Sequence, residues 1–416
     1  MWLDIQYILY TLNPFKISSI LIFMKAGIFS DTHMDKYGTI PLIIQEFQKE
    51  KVDFIIVTGD LYEKHLTRDI FKNFPVIYAT VSNQIEMEEF KRLDNFKETG
   101  FYFTKPVFYG GPSNRIVNLK TLNLGNEIIY VGHDRSYDFQ YDKMEVGIKG
   151  LFKINSSENI GIRWWFAGGD HKPKLIVDGL FKFVDTGAAA LEQSYGNGAE
   201  YGILDFDEDT ISFKRLLPIE VIEKKKDPNF EIKNTDNIAL IYNTIGITQP
   251  YNDPDYYNKL KNHLKTRHDI TNLIHLGKID VTDIRREELS DFKVYLNLSM
   301  QKIDEFEKLG KPLPPNWVYM EGGKKYVEVG KGFKILFEPN LGMEIKKRSE
   351  EDLFDLEKRL VAEDENLTHV CFDSHLPHCS GLDLIKVISP GNSVKDRYYS
   401  VISHPKNEIT FGRIPL

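Results

Sequence analysis

From Met24 onward the order of apolar and polar positions reads as strand, turn, helix, strand. "KAGIFS" is a short apolar run, and "IPLIIQEFQKEK" spaces its apolar residues at helical intervals. "VDFIIVTG" is a run of β-branched and aromatic residues closed by glycine, the signature of a buried strand. Two parallel strands joined by a helix bring their C-terminal ends to one edge of a sheet. In open α/β sheets that edge is where ligands bind. Three further runs carry the strand signature: "FPVIYATVSNQ", "NEIIYVGHD" and "GIRWWFAGGDH".

Each of these runs ends in a side chain of metal-ligand type. The first ends in Asp31 and His33, the second in Asp60 behind Gly59, the third in Asn83 and the fourth in His133. The fifth ends in Gly168, Gly169, Asp170 and His171. A glycine ahead of an aspartate lets the backbone turn sharply and carries the carboxylate to the edge. Taken singly, Asp31 or Asp60 reads equally well as a helix N-cap, a common use of aspartate at a strand-to-helix turn. A lone histidine at a strand end is usually structural. Several such residues at equivalent ends point instead to a metal site.

The motifs resemble the calcineurin-like metallophosphoesterase superfamily. Its pattern is Asp-x-His, Gly-Asp, Gly-Asn-(His/Asn/Cys)-(Asp/Glu), a His, and Gly-His-x-His. "SDTH", "TGD" and "GGDHKP" match closely, "SNQI" and "VGHD" loosely, over about residues 24–217, and "VDTGAA" falls where a Pro-Gly-Ser turn is common. The resemblance implies one ion held by Asp31, His33, Asp60 and His171. A second would use Asp60, Asn83, His133 and the side chain at position 169. Catalysis would rest on Asp31, His33, Asp60 and Asn83. Such donors suit Mn²⁺ first, with Fe²⁺ and Zn²⁺ as alternatives. Two ions would clamp a phosphoryl group and activate water. Three residues depart from the pattern. Gly169 stands in place of an imidazole, Gln84 in place of a proton-donating histidine, and Ile85 in place of the acid that orients it. The expectation is one retained ion, a weakened second site and slowed catalysis.

"VIEKKKDPNFEIKNTD" is charged and broken by proline, and reads as a linker. The pattern then repeats in worn form. "NIALIYNTIG" parallels "KAGIFSDTHM", "ITNLIHLGK" parallels "VDFIIVTGD", and "THVCFDSHLP" parallels "WWFAGGDHKP". "FKVYLNLS" and "FKILFEPN" supply further strands, and "SEEDLFDLEKRLVAEDE" a helix capped by Ser349. Asn243, Ile245 and Lys278 take the places of Asp31, His33 and Asp60, while Asp373 aligns with Gly169 and His375 with His171. An ammonium at the bridging position would repel a cation. The expected fold is therefore α/β, two tandem metallophosphoesterase-like α-β-β-α sandwich domains. The expected boundaries are an extension (1–23), an active domain (24–220), a linker (221–236) and a degenerate copy (237–416). Cys371, His375, His378 and Cys379 lie close together, but their spacing is wrong for a zinc finger, and they read as a loop remnant with a buried cysteine.

Composition narrows the function classes. A chain of 416 residues is long enough for two cores, and a net charge of −8 gives no global basic field for nucleic acid or an acidic membrane. Two cysteines exclude a disulfide framework and fit a reducing, cytoplasmic setting. Asp4, Asn13, Pro14 and Lys16 interrupt the apolar N-terminal stretch, so no membrane span is expected there. The reading is a metal-dependent phosphoesterase acting on a phosphodiester or phosphomonoester through the first domain. Because "HKPKLIVDG" and "VDTG" most resemble the nuclease branch, nucleic acid or a nucleotide is among the expected substrates. The alternative is a non-catalytic scaffold that binds a protein partner, like the retromer subunit that keeps this fold.

Overall fold

The apolar runs fold as strands of two facing sheets. The computed structural model describes residues 24–33, 35–59, 71, 73–78, 96–98, 122–124, 127–132, 140–141, 144–145, 161–169, 171–193, 198–227, 236–242, 256–276, 289, 291–296, 308, 315, 317–319, 326–328, 334–337, 367–372, 376–381, 386–393, 396–404 and 408–414. Asp60, Asn83, Gln84, Ile85, His133 and Asp170 lie outside the described residues, as do Asn243, Ile245, Lys278, Asp373, His375 and the helix expected after Ser349.

The first half contributes Lys25–Phe29 (β1), Phe54–Val57 (β2), Val76–Tyr78 (β3), Phe96–Glu98 (β4), Leu122–Leu124 (β5), Glu127–Val131 (β6), Gln140–Tyr141 (β7), Met144–Glu145 (β8), Trp164–Ala167 (β9), Pro173–Asp178 (β10), Phe181–Thr186 (β11), Ala199–Asp205 (β12) and Thr210–Leu216 (β13). The second half contributes Asp236–Tyr242 (β14), Asn272–Leu276 (β15), Lys293–Leu296 (β16), Trp317–Tyr319 (β17), Tyr326–Glu328 (β18), Lys334–Phe337 (β19), Leu367–Cys371 (β20), Pro377–Gly381 (β21), Lys386–Pro390 (β22), Tyr398–His404 (β23) and Glu408–Arg413 (β24). The helices are Thr39–Lys49 (α1), Pro218–Lys226 (α2) and Tyr256–His268 (α3).

One sheet has twelve strands in the order β17-β16-β15-β14-β23-β24-β13-β12-β1-β2-β3-β4. The other has ten, in the order β18-β19-β20-β22-β21-β10-β11-β9-β6-β5, and β7 and β8 form a separate ribbon. Between the sheets lies a continuous apolar layer that includes Ala26, Ile28, Ile56, Trp164, Phe166, Leu240, Cys371 and Ile388. Phe29, Ile55 and Val57 face the other way, onto Ile40, Ile43, Ile44 and Phe47 of α1. The first two strands are thus covered on both faces. That is why "KAGIF" and "FIIV" are near-continuous apolar runs rather than alternating ones. In the second half Ile241 and Leu273 pack the same way against Leu260 and Leu264 of α3.

The order of pairings reads alike from either end of both sheets. β1 is parallel to β2 and antiparallel to β12, while β14 is parallel to β15 and antiparallel to β23. Among the described residues two strand pairings join the halves, both antiparallel. In β13 and β24, Ser212 lies opposite Thr410, flanked by Ile211 with Phe411 and Phe213 with Ile409. In β10 and β21, Leu175 lies opposite Cys379, flanked by Lys174 with Ser380 and Ile176 with His378. Isolated bridges join Ser30 to Ala188 and Tyr242 to Asn392, each beside a glycine of positive φ, Gly187 at 82° and Gly391 at 79°.

One feature differs from what the charge pattern suggests. Val221–Lys226, read as the start of the linker, is helical, and Lys224 of the "EKKKD" run is buried with its ammonium 2.8 Å from Glu46 Oε1 of α1. Cys371 and Cys379 both pair with Ile388, one from each side, so β22 separates them. Both are free and buried, and burial pushes the Cys379 thiol up to about 12. They pack as small apolar residues.

Candidate metal centre

The site forms where β1 and β9 end. These strands belong to different sheets, so the ligand edge is the mouth of the sandwich rather than the rim of one sheet. Asp31 and His33 come from the twelve-stranded sheet, His171 from the ten-stranded one. Their ligand atoms all lie within 4.8 Å of one another. His171 Nε2 stands 3.2 Å and His33 Nε2 3.9 Å from Asp31 Oδ1, and the two imidazole nitrogens are 3.3 Å apart. A first-row ion bound at about 2.0–2.2 Å to each of several donors would separate them by about 3–3.5 Å. The donor set fits such an ion. Asp31 is fully buried and both histidines are partly exposed, so the carboxylate forms the floor and the imidazoles the rim.

All three candidate ligands have positive φ: 52° at Asp31, 40° at His33 and 56° at His171. Each such residue costs on the order of 1–2 kcal/mol. Strain of this kind persists only where the surroundings enforce it, and it gathers at functional sites. Here the enforcement is visible. Ala189 N donates to Ser30 O at 2.9 Å and Ala190 N to Asp31 O at 3.3 Å, stitching the first ligand's backbone to the stretch after β11. Thr58 N donates to Phe29 O at 3.1 Å, and Gly59, next in the chain, takes a φ of 108°.

Asp31 is not a helix cap. The N-cap of α1 is Gly38, and Asp35 supplies the carboxylate that serves the helix's first amides. Its Oδ1 accepts from Thr39 N (2.6 Å) and Thr39 Oγ1 (2.7 Å), and its Oδ2 from Ile40 N (3.1 Å). Burial pushes the Asp35 carboxyl above its usual range, against the hydrogen bonds from Thr39 and Ile40 that pull it down. Asp31 uses its oxygens differently. Oδ2 accepts a 2.5 Å bond from Ser30 Oγ and a 3.0 Å bond from Gly169 N, while Oδ1 faces the two imidazoles.

Gly169 therefore has a place of its own. Its φ of 99° is a conformation that side-chain-bearing residues rarely adopt, and its amide holds a ligand carboxylate. In the sequence the position reads first as a missing imidazole, with a glycine-only backbone as the other reading, and neither Ser30 nor Asp35 stands out. The doubled glycine before Asp170 was the available signal for an unusual backbone. Of the six residues expected at the site, the described structure brings together Asp31, His33 and His171.

Residues 24–180 match the family model described as calcineurin-like phosphoesterase. Solved structures with a similar fold include an archaeal phosphodiesterase, 16% identical, covering 46% of this chain and 100% of that one with a TM-score of 0.33. Another is a predicted phosphoesterase of Streptococcus pneumoniae TIGR4, 14% identical, with 47% and 90% covered and a TM-score of 0.28. A third is wild-type Vps29 of Entamoeba histolytica complexed with Zn²⁺, 14% identical, with 46% and 91% covered and a TM-score of 0.28. A search of curated proteins finds no match. Among the described residues no helix is long and apolar enough to cross a membrane.

Proposed function

We propose that this chain is a metal-dependent phosphoesterase whose ion sits between Asp31, His33 and His171, with Asp60 completing the set. The convergence of one carboxylate oxygen and two imidazole nitrogens within 4.8 Å carries the reading. A divalent ion at such a centre supplies Lewis-acid polarisation of a phosphoryl group and activation of water. Mn²⁺ is the proposed ion, with Fe²⁺ and Zn²⁺ also suited to these donors. Asn83 and His133 are proposed for a second, weaker position. The positive φ of Gly169 favours a centre dominated by one ion. Phosphate esters are the proposed substrates, nucleic acid or nucleotide among them, and the cytoplasm the proposed location, consistent with two free cysteines.

Residues 237–416 are read as a degenerate second copy, whose role is to pack against the first or to present a protein partner. The matching strand order of both sheets supports this, as do the equivalent bridges at Ser30 and Tyr242. The scaffold alternative draws on the same Gly169 conformation, which leaves no side chain there for a second ion.

Metal analysis of the purified chain, together with hydrolysis of an activated diester and an activated monoester, tests the reading. The expected result is about one tightly held ion per chain, lost in Asp31→Ala and His171→Ala, and ion-dependent hydrolysis of at least one ester. A chain that takes up no Mn²⁺, Fe²⁺ or Zn²⁺ contradicts the enzyme and leaves the scaffold.

A further inference from the structure

We infer that Ser30 is a positioning residue of the metal centre, and that with the Gly169 amide it restricts Asp31 to binding an ion through one oxygen. The inference rests on the metal-dependent reading above. A carboxylate has two oxygens and can meet an ion through one or both. In this site Oδ2 is already engaged twice, by the Ser30 hydroxyl at 2.5 Å and the Gly169 amide at 3.0 Å. Both donors are buried, and Ser30 and Asp31 are each fully shielded from solvent. Hydrogen bonds from such groups to an ionised carboxylate are short and strong, so Oδ2 is costly to pull away. Oδ1 is the oxygen turned toward His33 and His171.

The surroundings leave the hydroxyl this station. A Cβ on Gly168 would stand 1.9 Å from Ser30 Oγ, so Gly168 keeps the space open. Ser30 itself is fixed by its bridge to Ala188 and by the bond from Ala189 N to its carbonyl. The consequence is selectivity. Ca²⁺ often takes carboxylates through both oxygens at longer distances, whereas Mn²⁺, Fe²⁺ and Zn²⁺ are served by one oxygen beside imidazoles. Groups that orient a ligand are worth about 10- to 100-fold in metal affinity.

Titration of chelator-stripped full-length protein with Mn²⁺ and with Ca²⁺, alongside melting of the metal-free form, tests this. Ser30→Ala removes the hydroxyl, Ser30→Cys keeps the size but offers only a weak donor, and Ser30→Thr keeps the hydroxyl. Ser30→Ala and Ser30→Cys should weaken Mn²⁺ by about 10- to 100-fold. They should also lower the Mn²⁺-to-Ca²⁺ affinity ratio, with Ser30→Thr near wild type. Should Ser30→Ala fail to fold, the Cys and Thr pair gives the same contrast. Ser30→Ala or Ser30→Cys binding Mn²⁺ as wild type does, or Ser30→Thr binding as weakly as Ser30→Cys, overturns the inference alone. A wild type that binds no ion overturns the phosphoesterase reading as well.

Discussion

Gly169 carries the sharpest consequence at the level of single residues. If the position were only a vacated ligand, Gly169→His would rebuild a second ion site. Its φ of 99° argues otherwise, because a Cβ is strained there whatever room surrounds it. Gly169→Ala and Gly169→His should each lose roughly 1–3 kcal/mol of stability. They should also bind the first ion less tightly, because the amide that holds Asp31 Oδ2 moves with the backbone. Chemical denaturation and Mn²⁺ titration of the two variants check this. A stable Gly169→His protein with more bound metal would mean that the loop re-forms along another path.

Among the elements, β15 shows how one buried side chain can set a pH dependence. His275 lies opposite Ile241, as Val57 of β2 lies opposite Phe29, and it is 4% exposed. Burial lowers its pKa from 6.5 to about 4, against a backbone hydrogen bond that pulls it up, and its Nδ1 has no side-chain hydrogen-bond partner among the described residues. At the end of α3, His268 is likewise lowered to about 4, by burial and then by the nearby His263. Both histidines bond Tyr399 Oη, at 2.9 Å and 3.0 Å. A histidine with a depressed folded pKa binds more protons when unfolded. Stability is therefore full above about pH 6.5 and falls as the pH drops toward 4. His275→Val should remove one such proton from the balance and relieve an orphaned polar atom. Its stability relative to wild type should rise by about 2 kcal/mol between pH 8 and pH 5, read from denaturant melts at each pH. An unchanged difference across that range would mean that His275 binds protons equally in the folded and unfolded states.

For the whole molecule, the two junctions decide what the halves can do apart. β13 with β24 closes one sheet, β10 with β21 closes the other, and the apolar layer runs across both. Glu200 adds an ion cluster across the division. Its Oε1 takes Arg215 Nη2 at 2.6 Å from its own half and lies 3.5 Å from Lys386 Nζ of the other. A fragment spanning 237–416 would bare two sheet edges and one side of a core, the condition that drives strand-to-strand association. It should run as a dimer or aggregate in size-exclusion chromatography with light scattering, and show no Mn²⁺-dependent hydrolysis. A well-behaved monomer would mean that the junctions contribute little.

Much was legible before any coordinates. Strand runs ending in Asp31, His33 and His171 marked the residues that the structure brings together, because a buried strand must be apolar along its length and a ligand edge must be polar at its end. The positive φ of Gly59 was readable for the same local reason, a glycine ahead of an aspartate at a strand end. What tertiary structure alone decided was the partnership of atoms distant in sequence. No local pattern reveals that Ser30 and Gly169, 139 residues apart in the numbering, share one oxygen of Asp31. Nor does it reveal that Asp35 rather than Asp31 takes the first amides of α1, or that His171 arrives from the opposite sheet. Periodicity and residue type act over a few neighbours, whereas a carboxylate's choice of oxygen depends on donors that only packing brings within 3 Å.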